Sequence, residues 1–529
     1  MSPAELIAAL RDPACYPHPA EPVELIETHI SWVFLAGEYA YKVKKPVDLG
    51  FLDFSTLEAR RFYCKEELRL NRRTAPEVYL GVVPITAGGA GLRVDGTGEA
   101  IEYALKMRRF PQAALADSLA RSGGLNAGRI DAIAAAIAAF HSIIPAAPEE
   151  SAFGTPAHVA APALANFEQL EKLDADPGDA ARLGRLRAWT AAESSRLQKV
   201  FAARKRGGFV RECHGDLHLG NMVFFEERPL LFDCIEFNAE LRWIDVMNEV
   251  AFLVMDLLEH RLEAYAWRFL NAYLEITGDY AGVRVLRYYL VYRAMVRAKI
   301  ARIRAHQPRV DETAHGAADR QYRDYLGLAE SLSVPGRPAL VLMHGFAGSG
   351  KTTVAQAMLE RIGAVRVRSD VERKRLHGLE PGARTHAEPY AGIYAPAATR
   401  LTYDRLKQVV RDITESGRVA IVDAAFLWST ERQAFSALAR ELKLPFLIVS
   451  CGASERTLRS RVARREAAMS DASEAGVAVL ENQLATQEAL GAEELAHAAL
   501  IDSDWDEARM HEAIGEITAR LTGTEALHA

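Results

Sequence analysis

The sequence predicts two domains: an α+β domain whose strands crowd its beginning, then an α/β domain built on a doubly wound parallel sheet. Three observations predict this. The chain has 529 residues, too many for one ordinary core. Strand-like runs gather at 30–35, 39–44, 79–85 and 101–107, and helical periodicity dominates after about residue 129, interrupted by a strand pair near 222. Beyond the turn-rich stretch 331–338, short β-rich runs at 339–343, 364–367, 419–422, 446–451 and 498–501 alternate with helix-length segments. The expected domains are 1–332 and 339–529, joined by a linker at 333–338.

Composition narrows the function. A formal charge of -6 and a pI near 6.2 give no global field for nucleic acid or anionic membrane, and Arg204-Lys205-Arg206 reads as a solvated loop. The five cysteines are scattered without C-x-x-C spacing, which fits reduced thiols and neither a disulfide framework nor a zinc site. Residues 1–15 lack a basic segment followed by an apolar run, and no window reaches the roughly 18 apolar residues a membrane span needs, so a cytoplasmic protein is expected. Residues 155–165 read as a loop leading into a helix.

Residues 345–352 read Gly-Phe-Ala-Gly-Ser-Gly-Lys-Thr, a complete G-x-x-x-x-G-K-[ST] phosphate loop between a predicted strand and an amphipathic helix carrying Val354, Met358 and Ile362. Gly345, Gly348, Ser349 and Gly350 let backbone N–H groups converge on phosphate oxygens. Lys351 supplies a point charge, the Thr352 hydroxyl suits Mg²⁺, and Thr353 continues the site. Asp423 ends the run 419–423 where a metal-holding carboxylate belongs. Asp370 and Arg373 form a D-x-x-R pattern suited to orienting an acceptor hydroxyl and gripping an anionic group, although an aspartate there also suits a helix cap. On the helical stretch 455–469, spacing puts Arg461 with Arg464 or Arg465 on one side, as a phosphate-closing lid or as a solvated basic face.

A second constellation lies earlier. In His-Gly-Asp-Leu-His-Leu-Gly-Asn, residues 214–221, Asn221 follows Asp216 by five, and Asp233 comes after two short apolar runs at 222–225 and 230–233. Folding about a turn at 226–229 sets Met222 opposite Asp233 and makes Asn221 and Asp233 neighbours. An amide oxygen and a carboxylate then converge where Mg²⁺ could sit, and Asp216 is placed to accept a proton from a substrate hydroxyl. A hairpin with water-facing polar ends is the alternative.

On these residues, about 25–330 resembles the aminoglycoside phosphotransferase family, which shares the protein-kinase-like fold. The resemblance implies Asp216 as catalytic base, Asn221 and Asp233 as metal ligands, and a cleft between lobes. It also implies a nucleotide lysine on a small-lobe strand, where Lys42 and Lys44 share a face; Lys42 is preferred, with Glu67 rather than Glu66 as its partner. Lys44 and Glu66 read as surface charges. The helix ending at His141 matches the family's, but Ile130, Ile133, Ile137 and Phe140 mark its core face, so His141 reads as a structural hydrogen-bonding residue. No G-x-G-x-x-G precedes the lysine strand, a departure from protein kinases; Thr28, His29 and Ser31 stand there instead and are candidate phosphate contacts.

Residues 339–505 resemble the P-loop small-molecule kinases that include gluconate kinase, adenylylsulfate kinase and zeta-toxin-like proteins. The whole chain thus resembles bacterial fusions of the two domain types. That implies a bifunctional kinase with one Mg-ATP site per domain, acting on small hydroxylated acceptors such as a sugar or polyol. Alternatives are that one domain is a nucleotide-binding regulator of the other, or that the P-loop domain is a zeta-toxin-like nucleotide-sugar kinase.

Overall fold

The computed structural model describes residues 1–50, 52–88, 91–173, 177–306, 312–385, 391–468 and 474–523. The chain divides into two compact units, 1–159 with 201–256, and 160–200 with 257–529.

In the first unit six strands form an antiparallel sheet of order β1-β2-β3-β6-β4-β5: β1 (Val23–Glu27), β2 (Ser31–Ala36), β3 (Tyr39–Lys44), β4 (Tyr79–Gly88), β5 (Gly91–Val94) and β6 (Ala100–Arg108). Period-two alternation along β3 does the positioning. Tyr41 and Val43 enter a core with Trp32, Phe34, Ile85 and Ala104. Lys42 and Lys44 therefore emerge on the other face, toward the helix Leu57–Asn71, which packs on β4 and β6.

The remainder of this unit adds β7 (Val210–Glu212) paired with β10 (Trp243–Asp245), and the hairpin of β8 (Met222–Phe225) and β9 (Arg228–Leu231). The hairpin corrects the expected register: Met222 pairs with Leu231, not Asp233. The turn is the two-residue Glu226-Glu227, both at positive φ (49° and 62°), tighter than the expected four-residue turn. Asp233 still lies beside Asn221, because Phe232 N donates to Asn221 O at 3.0 Å.

Two loop expectations are also corrected. Residues 155–165 are largely helical, since a helix spans Pro156–Glu171. Arg204 ends the helix Pro177–Arg206 in a buried bidentate pair with Asp245, at 2.6 and 2.7 Å, with its guanidinium over the Phe209 ring. A basic triplet at a helix C-terminus interacts well with the terminal carbonyls, which the composition-based loop reading overlooked.

The second unit holds the parallel sheet β12-β13-β11-β14-β15: β11 (Leu340–His344), β12 (Val365–Arg368), β13 (Ala420–Asp423), β14 (Phe446–Gly452) and β15 (Ala498–Asp502). Val341, Met343, Ile421 and Val449 pack against Val354, Met358, Ile514 and Ile517 in its core. The helix Glu312–Ser333 continues three residues into the expected turn-rich stretch 331–338, its Ser331 and Ser333 hydroxyls bonding back to Leu328 O and Glu330 O. The helix Glu263–Thr277 packs on β12 and on the helix Lys351–Ile362. In contacts, residues 257–333 thus group with the parallel sheet, whereas the sequence reading places them with the β-rich part. Among the described residues no helix is long and apolar enough to cross a membrane, and all five cysteines are free and buried.

Candidate active sites

The first site is organised around two lysines and a shared carboxylate. Glu67, fully buried on the helix Leu57–Asn71, accepts from Lys42 Nζ at 2.8 Å and from Lys44 Nζ at 2.7 Å. Lys42 also donates to Asp233 Oδ1 at 2.5 Å, and Lys44 to Glu236. The surface reading of Lys44 is thereby corrected: its side chain is 0% exposed, because the strand face it shares with Lys42 is covered by the Glu67 helix. Glu66 is also no free surface charge; it accepts from Arg69 and Arg242. Burial alone would lower the Lys42 pKa, but the charges of Asp233 and Glu67 outweigh it and raise the value well above the ordinary one. Burial would likewise raise the Glu67 pKa, and Lys42 and Lys44 reverse the sign. Burial, with Glu67 nearby, leaves Glu236 raised.

The 214–221 loop is pinned from behind. Glu249 accepts from Gly215 N at 2.6 Å, His214 N at 3.1 Å and His141 Nε2 at 2.9 Å, so His141 hydrogen-bonds from a buried core position. His214 Nε2 donates to Phe232 O at 2.8 Å; burial lowers its pKa and favours neutral imidazole. Asn221 Nδ2 donates to Asp216 O (2.9 Å) and Oδ2 (3.1 Å), leaving its Oδ1 as the acceptor available to a cation. Asp233 has φ +64°, a left-handed conformation aspartate tolerates, and its N–H bonds Tyr79 Oη at 3.0 Å. Asp216, Asn221, Asp233, Lys42 and Glu67 thus form one hydrogen-bonded neighbourhood drawn from β3, a helix and two loops. Thr28 Oγ1 bonds the Ser31 backbone and closes the β1–β2 turn.

The second site follows from strand register. Met343 on β11, Asp423 on β13 and Arg368 on β12 are aligned neighbours at the carboxyl edge of the sheet. The loop leaving β11 has Gly345, Gly348 and Gly350 at φ 137°, 82° and 85°; a Cβ on Gly345 would lie 2.3 Å from Cys451 O, so only glycine fits. Ser349 Oγ is buried without a partner. Thr352 Oγ1 donates to Asp423 Oδ2 at 2.8 Å, joining a hydroxyl and a carboxylate in the oxygen-only set a hard cation takes. Lys351 Nζ donates to Gly345 O (2.8 Å) and Phe346 O (2.7 Å); burial lowers its pKa despite the Asp423 charge.

A cleft of about 1420 Å³, ample for a nucleotide and an acceptor, is lined by Gly348, Gly350, Lys351, Thr352, Thr353, Asp370, Arg373, Asp423, Arg461 and Arg464; Gly345 and Ser349 are not in its wall. Asp370 is the second residue of the helix Ser369–Leu376, whose N-cap is Arg368, so it is not the capping residue. Arg373 is 7% exposed; its Nη1 bonds Ile393 O and Thr399 Oγ1, and its Nε has no partner. Arg461 grips Gly348 O (3.3 Å) and Ser503 Oγ (2.6 Å), Arg465 lines the cleft too, and residue 469, at the end of the expected stretch, lies outside the described residues.

Sequence reasoning missed Lys44, Glu236 and Glu249 in the first site, and Arg368, Arg384, Glu431 and Gln483 in the second. Gln483 Oε1 accepts the phosphate-loop Ala347 N–H at 2.8 Å. The only advance signal was the Lys-x-Lys alternation, which placed Lys44 beside Lys42; Glu236, Glu249, Arg368 and Gln483 bond to partners remote in sequence, and Arg384 and Glu431 line the cleft without a motif to mark them.

Fold and sites together define a chain of two kinase-like domains. Residues 64–286 match the phosphotransferase enzyme family and 340–490 match an AAA domain, so an aminoglycoside-phosphotransferase-like part is fused to a P-loop part. The chain belongs to the family of the uncharacterized proteins Rv2004c of Mycobacterium tuberculosis (strain ATCC 25618 / H37Rv) and Mb2027c of Mycobacterium bovis. It is 30% identical to each over 474 residues, 87% of this chain and 90% of theirs. Among solved structures, a gluconokinase from Sinorhizobium meliloti 1021 is 19% identical with a TM-score of 0.26, covering 36% of this chain and 96% of that one. Amicoumacin kinase hAmiN, in complex with AMP-PNP, Ca²⁺ and Ami, is 13% identical with a TM-score of 0.38, covering 62% and 94%. Values this low say nothing about substrate.

Proposed function

We propose that the protein is a bifunctional cytoplasmic phosphotransferase that moves the γ-phosphoryl group of Mg-ATP to hydroxyls of small metabolites, with one site in each of the halves 1–332 and 339–529. One observation supports the reading: in each half a lysine, buried in the first and half-buried in the second, lies with oxygen donors that would suit Mg²⁺ and with a further aspartate.

In the first half Lys42, held by Glu67, binds nucleotide phosphate, Asn221 and Asp233 hold the metal, and Asp216 takes the acceptor proton as the new oxygen–phosphorus bond forms and the bond to ADP breaks. In the second half Gly345, Gly348, Ser349, Gly350, Lys351, Thr352 and Thr353 bind the phosphates, Thr352 and Asp423 hold the metal, Arg461 and Arg464 add charge, and Asp370 orients the acceptor. Arg373 and Arg384, both in the cleft wall with guanidinium N–H groups lacking partners, favour an acceptor that carries an anionic group. The metal neutralises phosphate charge when bound; the residues supply positioning.

The test is a metabolite screen with each site disabled in the full chain, through Lys351→Ala or Asp233→Asn. Two products, each lost in a different variant, are expected. Absence of any ATP-dependent product from the wild-type protein, with ATP bound at both sites, would reject catalysis.

A further inference from the structure

Glu275 lies outside both motif sets, on the helix Glu263–Thr277, yet its carboxylate reaches the arginines of β12. β12 is an edge strand of the parallel sheet, with one row of backbone groups lacking a strand partner. Asn271 supplies one: its Nδ2 donates to Ala364 O at 3.0 Å and its Oδ1 accepts from Arg366 N at 2.8 Å. One turn earlier, Trp267 closes against Gly363, where a Cβ would sit 2.8 Å from the indole. One turn later, Glu275 accepts from Arg366 Nη2 at 3.1 Å and from Arg368 Nη1 at 3.0 Å. Trp267, Asn271 and Glu275, spaced i, i+4, i+8, thus form a stripe fitted to residues 363–368.

Arg368 is the critical end of this chain of contacts. It lines the nucleotide cleft, and its Nε stands 3.9 Å from Asp423 Oδ2, the oxygen that accepts from Thr352. That is already a long ion pair, and a guanidinium at this distance shortens it to a charge-assisted hydrogen bond unless a nearer anion holds it. Glu275 is that anion, and Arg366, whose Nη1 approaches Thr352 O at 3.4 Å, shares it.

We propose that Glu275 is a positioning residue of the P-loop site: it holds Arg368 back from Asp423 and so keeps the Asp423 carboxylate available for metal. The inference rests on Asp423 as a metal ligand. The experiment uses the full chain carrying Asp233→Asn, which removes the first site's metal carboxylate. The readout is the affinity of a fluorescent ATP analogue across a Mg²⁺ titration, with thermal unfolding as the folding control.

Glu275→Gln should raise the Mg²⁺ midpoint about 10-fold, as expected for losing a charge-assisted contact. Adding Arg368→Gln should return the midpoint to within about 3-fold of the background, because the competing cation is gone. Glu275→Asp, a gentler change that keeps the charge but shortens the reach, should fall between. An unchanged midpoint in both single variants would overturn the role of Glu275, as would a raised midpoint that persists after Arg368→Gln, which would mean only that the helix had undocked. If the background protein itself binds the analogue without any Mg²⁺ dependence, the metal assignment of Asp423 fails as well.

Discussion

Lys42, buried, and Lys351, half-buried, are both proposed to bind phosphate, and their surroundings are opposite. Lys42 is gripped by two carboxylates, one 25 and the other 191 residues away in sequence, and its pKa rises. Lys351 is gripped by two carbonyls five and six residues away, and its pKa falls. The first site is therefore a product of tertiary folding, with both lysine charges compensated by carboxylates before any ligand arrives. The second is a local backbone device that holds an under-compensated cation. On the proposed reading, a phosphate group entering the second site would supply the missing anion, whereas in the first it would share Lys42 with Asp233.

The largest effect is expected from Lys351→Ala, which should reduce ATP-binding stoichiometry of the full chain from about two to about one by calorimetry. Retention of both sites would remove Lys351 from phosphate binding. Next comes Asp216→Ala, expected to cut first-site turnover by roughly 10² to 10⁴ with little loss of ATP affinity; near-normal turnover, with the second site disabled, would end its role as base. Lys44→Met tests the carboxylate network itself. Leaving Glu236 and Glu67 buried without that partner should destabilise the first unit by about 3–5 kcal/mol in urea unfolding, and a loss under about 1 kcal/mol would show the network to be dispensable.

The smallest effect concerns pH. A lysine with a depressed pKa keeps its charge only below that value, so ATP affinity at the second site should begin to fall below pH 10.5 as pH rises. The raised Lys42 should hold first-site affinity to higher pH. Titrating Lys351→Ala and Asp233→Asn proteins separately between about pH 7 and 10 compares the two, on the lysine pKa range. Parallel declines would erase the distinction.

The same contrast explains what was legible in the sequence. The phosphate loop, its flanking strand and helix, and all five strands of the parallel sheet are contiguous patterns, and they emerge within a residue or two of expectation. Asp423 was readable because it ends an apolar strand, and parallel register brings strand ends together. In the first site the motif residues were readable, but their supports were not. Glu249 reaches the 214–215 backbone from a helix about 35 residues on, and nothing in its local sequence distinguishes it from a surface glutamate. Lys44 was misread for the same reason: burial of a charge depends on partners such as Glu236 that lie far along the chain. The hairpin register failed because two consecutive glutamates gave no signal for left-handed φ, which asparagine or glycine would have given.

Asn271 covering the open side of β12 has a practical outcome for dissecting this protein. A fragment cut at the apparent linker, 335–529, would begin after the helix Glu263–Thr277 and bare a row of unsatisfied backbone groups beside Gly363 and Arg366. Exposed sheet borders recruit one another, so such a truncation invites self-association, and a soluble fragment must start upstream of Glu263.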